Sequence, residues 1–169
     1  MNHIILGTGS YENVKKGNTV SITGDGGNAW NYFGPAYKKL APKLVTYLPY
    51  IEKYNELQQM KDLLYEKEIK KIRRQIEDEY IKSYYEIRLK DLNVEELLNI
   101  LYEKFGKEFI LLCHEPVDEF CHRRLVADYI ELQTGNYIPE ISVDEKGKIK
   151  ELKPIRYTKR LQKVMKEID

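Results

Sequence analysis

Phe109-Ile110-Leu111-Leu112-Cys113 is an unbroken apolar run, and His114-Glu115-Pro116 ends it abruptly. A strand that is apolar on every residue must be covered on both faces, as a central strand of a parallel sheet is. The sequence on either side supplies cover. Upstream, Asn93 stands at an N-cap position with Glu96 in capping-box position. An amphipathic stretch follows to Phe105, and Gly106 stops it. Downstream, Asp118 is placed to cap a helix over residues 119–134, which Gly135 closes. Helix, strand and helix in that order predict an α/β protein, a small three-layer, mostly parallel sheet of Rossmann-like or flavodoxin-like type.

Further strands are read outward from this centre. His3-Ile4-Ile5-Leu6 is a short apolar run that Gly7-Thr8-Gly9-Ser10 is expected to turn. Thr19-Val20-Ser21-Ile22-Thr23 alternates and is β-branched, and Gly24-Asp25-Gly26-Gly27 stops it. Asp144-Glu145-Lys146-Gly147 reads as a hairpin turn between two short strands, and residues 156–168 as a final amphipathic helix. With 169 residues, one domain over 1–169 is expected, carrying a helical insertion over 44–90.

That insertion is the most charged part of the chain. Of the 40 residues from 51 to 90, 19 are acidic or basic, while Ile69, Ile72, Ile76 and Tyr80 recur three or four apart. An unbroken helix over 40 residues would be about 60 Å long at 1.5 Å per residue, against a domain diameter of roughly 40 Å. The helical stretch over 43–91 must therefore bend back or project. A projecting hairpin would suit homo-oligomer formation or partner binding, and a solvated face is the plainer reading.

The net charge of +1 hides an uneven spread: residues 1–50 carry +3, 51–90 carry +1, 91–143 carry −7 and 144–169 carry +4. This excludes a uniformly basic nucleic-acid binder and an acidic solvating chain. A hydrophobic fraction of 42% with 11% aromatic residues excludes disorder. No apolar run approaches the roughly 18 residues of a membrane span. No charged leader precedes a long apolar stretch, so Met1 is read as the start of the mature protein and the compartment as cytoplasmic. Two cysteines do not indicate a disulfide framework.

Chemistry concentrates where the central strand ends. Between Leu112 and Arg124 lie two Cys, two His, three carboxylates and two Arg. In open α/β sheets ligands bind at the carboxyl ends of strands, and a helix N-terminus there favours anions. Cys121 and His122, each one turn before apolar helix residues, should face the sheet or the cleft at its edge. Arg123 is the expected phosphate or carboxylate ligand, whereas Arg124 with Asp128 and Glu131 should form a solvated ion-pair face. Glu115 and His122 are the candidate catalytic acid and base, and Cys113 and Cys121 are candidate ligand contacts. Each has a plainer alternative: Cys113 as a small core residue, Cys121 as a structural thiol, Glu115 as a surface carboxylate. A metal or thiol-redox site at Cys113 and Cys121 is a further reading, but neighbouring Cys and His side chains in a strand point to opposite faces. Four zinc ligands would not converge without a distorted strand end.

Two glycine-containing segments add candidates. In Gly24-Asp25-Gly26-Gly27-Asn28-Ala29-Trp30-Asn31-Tyr32-Phe33-Gly34-Pro35, Trp30 and Tyr32 present flat rings for stacking on a base or sugar, unless they pack over the sheet edge. Gly7-Thr8-Gly9-Ser10 is a phosphate cradle on composition, with Ser10 as its ligand contact, although it lacks the fuller spacing of a dinucleotide fingerprint.

Leu111-Leu112-Cys113-His114-Glu115, followed by Phe120-Cys121-His122-Arg123-Arg124-Leu125-Val126-Ala127, resembles the domain of unknown function 488 family. In that family a Leu-x-Cys-x-Glu strand end precedes a Cys-His-Arg helix start. Ser21-Ile22, the aromatic and glycine-containing loop, Tyr37-Lys38-Lys39-Leu40-Ala41-Pro42 and the stretch from Tyr80-Ile81 to Leu92 extend the likeness over residues 3–135. The resemblance implies a small α/β domain with a shared polar site of Cys113, Glu115, Cys121, His122 and Arg123, and it carries no reaction or cofactor. The chain departs from it in a longer charged insertion around 56–78, and in His114, where an aromatic or apolar residue is more usual.

These readings together predict binding of, or action on, a nucleotide, nucleoside or nucleic-acid phosphate, with a glycosidic or phosphate-ester bond as target. The competing expectation is a non-catalytic interaction module in which the Cys-His-Arg cluster only ties strand to helix.

Overall fold

The computed structural model describes residues 4–169. His3 and Met1 lie outside them, and with them the first residue of the expected opening strand. Five strands form one sheet in the order β2 (Asn18–Ser21), β5 (Phe109–Cys113), β1 (Ile5–Ser10), β6 (Glu140–Val143) and β7 (Ile149–Leu152). The first four run parallel, and β7 returns antiparallel through the Asp144 turn. The protein is thus a mixed α/β fold with a mostly parallel sheet, and the apolar run that fixes its class lies one strand from the edge, between β2 and β1. Every residue of β5 is buried.

Two clusters cover the two faces, and they are unequal. On one side Val20, Phe109 and Leu111 meet apolar residues of α2 (Glu66–Tyr84), α3 (Val94–Phe105), α4 (His122–Thr134) and α5 (Thr158–Ile168). On the other, Ile110, Leu112, Ile141 and Val143 meet Tyr11 and Val14, with Ala29 and Tyr32 of a small hairpin, β3 (Asn28–Ala29) and β4 (Tyr32–Phe33), packed against them. The helices thus form one layer, and a loop and hairpin form the thin layer opposite.

The helical stretch bends back. α1 (Leu44–Met60) ends at a short turn, and α2 returns along it. Leu57 and Ile76 are buried, Thr46 Oγ1 and Ser83 Oγ share a 2.6 Å hydrogen bond, and Lys53 pairs with Glu79. α2 runs on through one π-helical turn, Tyr85–Leu89. Asn93 Oδ1 caps α3 by accepting from the Glu96 N–H at 3.0 Å, and Gly106 ends it at φ 83°. Among the described residues, no helix is long and apolar enough to cross a membrane.

Two local expectations are corrected. Gly7-Thr8-Gly9-Ser10 does not turn: it is the second half of β1. Its glycines answer to close packing, since a Cβ on Gly9 would stand 2.5 Å from Val14 Cγ2 and 3.0 Å from the Ile141 carbonyl oxygen, and one on Gly7 2.9 Å from the Pro139 carbonyl oxygen. Helix α4 begins at His122, and Asp118 does not cap it. The Phe120 ring is held among Tyr50, Tyr80 and Tyr157 at 5.0 to 5.5 Å, and Cys121 follows in extended conformation at φ −151°. Anchoring of that aromatic delays the helix by one turn.

Candidate functional site

Beyond the carboxyl ends of β2 and β5 lies an open cleft of about 340 Å³. The chain leaving β2 supplies Thr23, Gly24 and Asp25, the chain leaving β5 supplies His114 and Glu115, and α4 supplies His122. Pro42 and two residues of the first turn of α1, Leu44 and Tyr47, complete it with an apolar wall. Glu115 and His122, the expected catalytic pair, therefore share one cavity.

The polar wall is ordered from below. Tyr11 Oη bonds with Ser21 Oγ at 2.6 Å and Thr23 Oγ1 at 2.8 Å, and donates to Asp25 at 3.1 Å. Asp25 also accepts from the Gly27 N–H at 2.7 Å, and its Oδ2 lies 2.7 Å from His114 Nε2. Burial pushes the Asp25 carboxyl up, but hydrogen bonds from Thr23, Gly27, His114 and Tyr11 outweigh it and hold the group below its ordinary value. Burial pushes Glu115 above its ordinary value, against a backbone hydrogen bond and the charges of Arg123 and His114. Burial also draws His122 down to about 4, with neighbouring Arg123 adding to the effect and the Ile22 hydrogen bond opposing it. Its Nε2 donates to the Ile22 carbonyl at 2.6 Å, which leaves Nδ1 with the lone pair.

Arg123 is not placed to bind a ligand. It is 1% exposed and faces away from solvent, with Nε 3.1 Å and Nη2 2.7 Å from the carboxylate of Glu140, itself wholly buried. Its Nη1 donates to Cys113 Sγ at 3.3 Å and Cys121 Sγ at 3.1 Å. Arg124 is not a solvated ion-pair residue either, being 3% exposed. It donates to Thr8 Oγ1 and the Ile138 carbonyl, each at 2.8 Å, and pairs with buried Asp128, which also accepts from the Tyr157 N–H at 2.6 Å. The reason lies in remote partners: Glu140 at the start of β6 holds Arg123, and Thr8 of β1 and the Ile138 carbonyl hold Arg124.

Cys113 and Cys121, which the sequence did not mark as a disulfide, are joined as one beside Arg123, with their Cα atoms 7.7 Å apart. Cys121 Sγ lies 3.2 Å from Glu115 Oε2. An imidazole nitrogen of His122 and the two sulfurs all lie within 4.8 Å of one another. Among the described residues these three groups are the ones able to hold a metal, and His114 is turned away toward Asp25.

The remaining candidates stand apart from the cleft. Ser10 is buried at the end of β1, where its Oγ accepts from the Asn13 N–H at 3.1 Å. Tyr32 stacks on Tyr11 with ring centroids 4.6 Å apart and bonds to Thr19, packing over the sheet, while Trp30 on the hairpin is 93% exposed. Asp25, Tyr47 and Glu140 did not stand out in the sequence. Glu140 carried a signal, since a carboxylate inside the apolar stretch Ile138-Pro139-Glu140-Ile141 must be buried and so needs a partner. No protein-family model, curated protein or solved structure matches this chain.

Proposed function

We propose that the cleft binds a nucleoside, or the nucleoside part of a nucleic acid, and that the chain cleaves its glycosidic bond. The observation that carries this reading is the division of the cleft into an apolar wall of Pro42, Leu44 and Tyr47 and a polar wall with the carboxyl groups of Asp25 and Glu115. A base lies flat against the first, with the Tyr47 ring available for stacking, and sugar hydroxyls donate to the second. Carboxylates suit a sugar that gains positive charge as its bond to the base breaks, and they repel phosphate. No lysine or arginine is among the described residues lining the cleft, so the neutral nucleoside is favoured over the nucleotide. The resemblance of the Cys-x-Glu and Cys-His-Arg motifs to the domain of unknown function 488 family is consistent with a site in this place.

In this reading protonated Glu115 gives its proton to the leaving base, Asp25, fixed by Tyr11 and His114, stabilises the sugar cation, and a water from the open cleft adds to that cation and returns a proton to Glu115. The test is release of free base from a panel of ribo- and deoxyribonucleosides and short single strands. Glu115→Gln should slow release by about 10²- to 10⁴-fold, the usual contribution of a positioned acid or base. No base release from any member of the panel, or release unchanged in both Glu115→Gln and Asp25→Asn, would overturn the reading.

A further inference from the structure

Deep to the cleft, the sulfurs and the imidazole that converge beneath Glu115 form an arrangement that nucleoside binding does not require. The two cysteines come from the end of β5 and the residue before α4, and His122 opens α4. All three are buried, and one donor atom from each falls within 4.8 Å of the others. We propose that, with both cysteines reduced, Cys113, Cys121 and His122 form a binding site for a thiophilic divalent cation, zinc, with the fourth position open toward the cleft.

Four features support it. First, a Cα separation of 7.7 Å is wider than the roughly 4.4–6.8 Å a disulfide spans. An ion bound at about 2.3 Å to each sulfur would open them to about 3.8 Å in tetrahedral geometry, which suits the wider backbone. Second, His122 Nε2 donates to the Ile22 carbonyl, a backbone partner of the kind metal-bound histidines use, which leaves Nδ1 as the nitrogen with a lone pair for an ion. Third, Arg123 Nη1 donates to both sulfurs, the kind of outer hydrogen bond that stabilises thiolate ligands, and Glu140 neutralises the guanidinium, so that two thiolates remain to balance a 2+ ion. Fourth, His122 lines the open cleft beside Glu115, which gives an ion a way in and a water a place at the fourth position.

The donor set also selects the metal. Two sulfurs and a nitrogen favour zinc over magnesium or calcium, which require oxygen ligands. The His122 ligand comes from the residue following Cys121 because that cysteine is extended while His122 is helical, so their side chains do not diverge as they would in a strand.

The experiment uses the full chain, reduced and freed of metal under anaerobic conditions, titrated with Co²⁺ as a spectroscopic probe and then with Zn²⁺. About one equivalent should bind, with thiolate-to-cobalt charge-transfer absorption and the strong visible bands of tetrahedral cobalt, and Zn²⁺ should displace it. Cys121→Ser and His122→Gln should each weaken binding by at least about tenfold, and Asp25→Asn should leave it unchanged. Because Cys113→Ser lies in the core, Cys113 is followed in the wild type, where Zn²⁺ should protect both thiols from alkylation and a chelator should expose them. Reduced wild-type protein that shows no charge-transfer absorption and no thiol protection would overturn the proposal. So would native protein carrying both cysteines as a disulfide that stays metal-free after reduction. No nucleoside is present in these titrations, so their outcome is independent of the glycosidase reading.

Discussion

Arg123 and Glu140 form a bidentate ion pair with both side chains sealed from water, 1% and 0% exposed. The pair joins the first turn of α4 to β6, and it does not stand alone. Thr8 Oγ1 donates to Glu140 at 2.6 Å and accepts from Arg124, which pairs with Asp128, while Arg123 reaches the two sulfurs. A continuous buried polar network therefore lies between the strand ends and α4, and it fixes the residues that border the cleft.

Breaking this pair on one side should be costly, because it leaves a charge buried without a partner. Arg123→Met is expected to destabilise the fold by about 3–5 kcal/mol, and Arg123→Met with Glu140→Leu to recover most of the loss. Urea unfolding of the two variants checks this. A single substitution costing under about 1 kcal/mol, below the usual range for such a pair, would show that Glu140 finds water or another donor.

The glycines of β1 and of the cleft should respond oppositely to a methyl group. Gly9→Ala drives its Cβ onto Val14 and the Ile141 carbonyl and should cost about 1–3 kcal/mol, as overpacking does. Gly24→Ala meets nothing within 4 Å and should change stability by less than about 0.5 kcal/mol. Thermal denaturation of both variants side by side decides whether Gly9 is retained for close packing.

Asp25 should make a measurable part of the acid sensitivity of the fold. Its folded-state pKa lies below the unfolded value, so its contribution is fully present above about pH 4, the unfolded value, and is lost as the pH falls through the folded one. Asp25→Asn should therefore lower stability at pH 7, and the difference between the two proteins should shrink as the pH falls below the unfolded value. Melting temperatures recorded from pH 7 down to pH 3 test the sign. A difference that widens on acidification would contradict it.

What was legible in the sequence follows from local signals. The run ending at Cys113 is apolar on every residue and so had to be a covered strand, and Asn93, Gly106 and Gly135 mark helix ends by chemistry confined to a few neighbours. Glu115 and His122 could be placed together because one lies just past the end of β5 and the other opens the next helix, α4. The failures share a cause: each depends on a partner far away in the chain. Arg124 looked solvated because its i+4 neighbour is Asp128, but Thr8, 116 residues away, and the Ile138 carbonyl hold it in the interior. Arg123 looked free because Glu140 is 17 residues distant across a helix and a loop. Gly7 and Gly9 read as a turn when the reason for them lies in Val14, Pro139 and Ile141.

Calorimetric titration of the wild-type chain with nucleosides and the matching monophosphates tests the cleft assignment most directly. Binding of at least one nucleoside is predicted, weaker for its monophosphate, and weakened in Tyr47→Ala by about 1–3 kcal/mol, the usual worth of a base stacked on an aromatic ring. Monophosphates that bind as tightly as nucleosides, or nucleosides that bind equally well to Tyr47→Ala and Asp25→Asn, would contradict the division of the cleft into a base wall and a sugar wall.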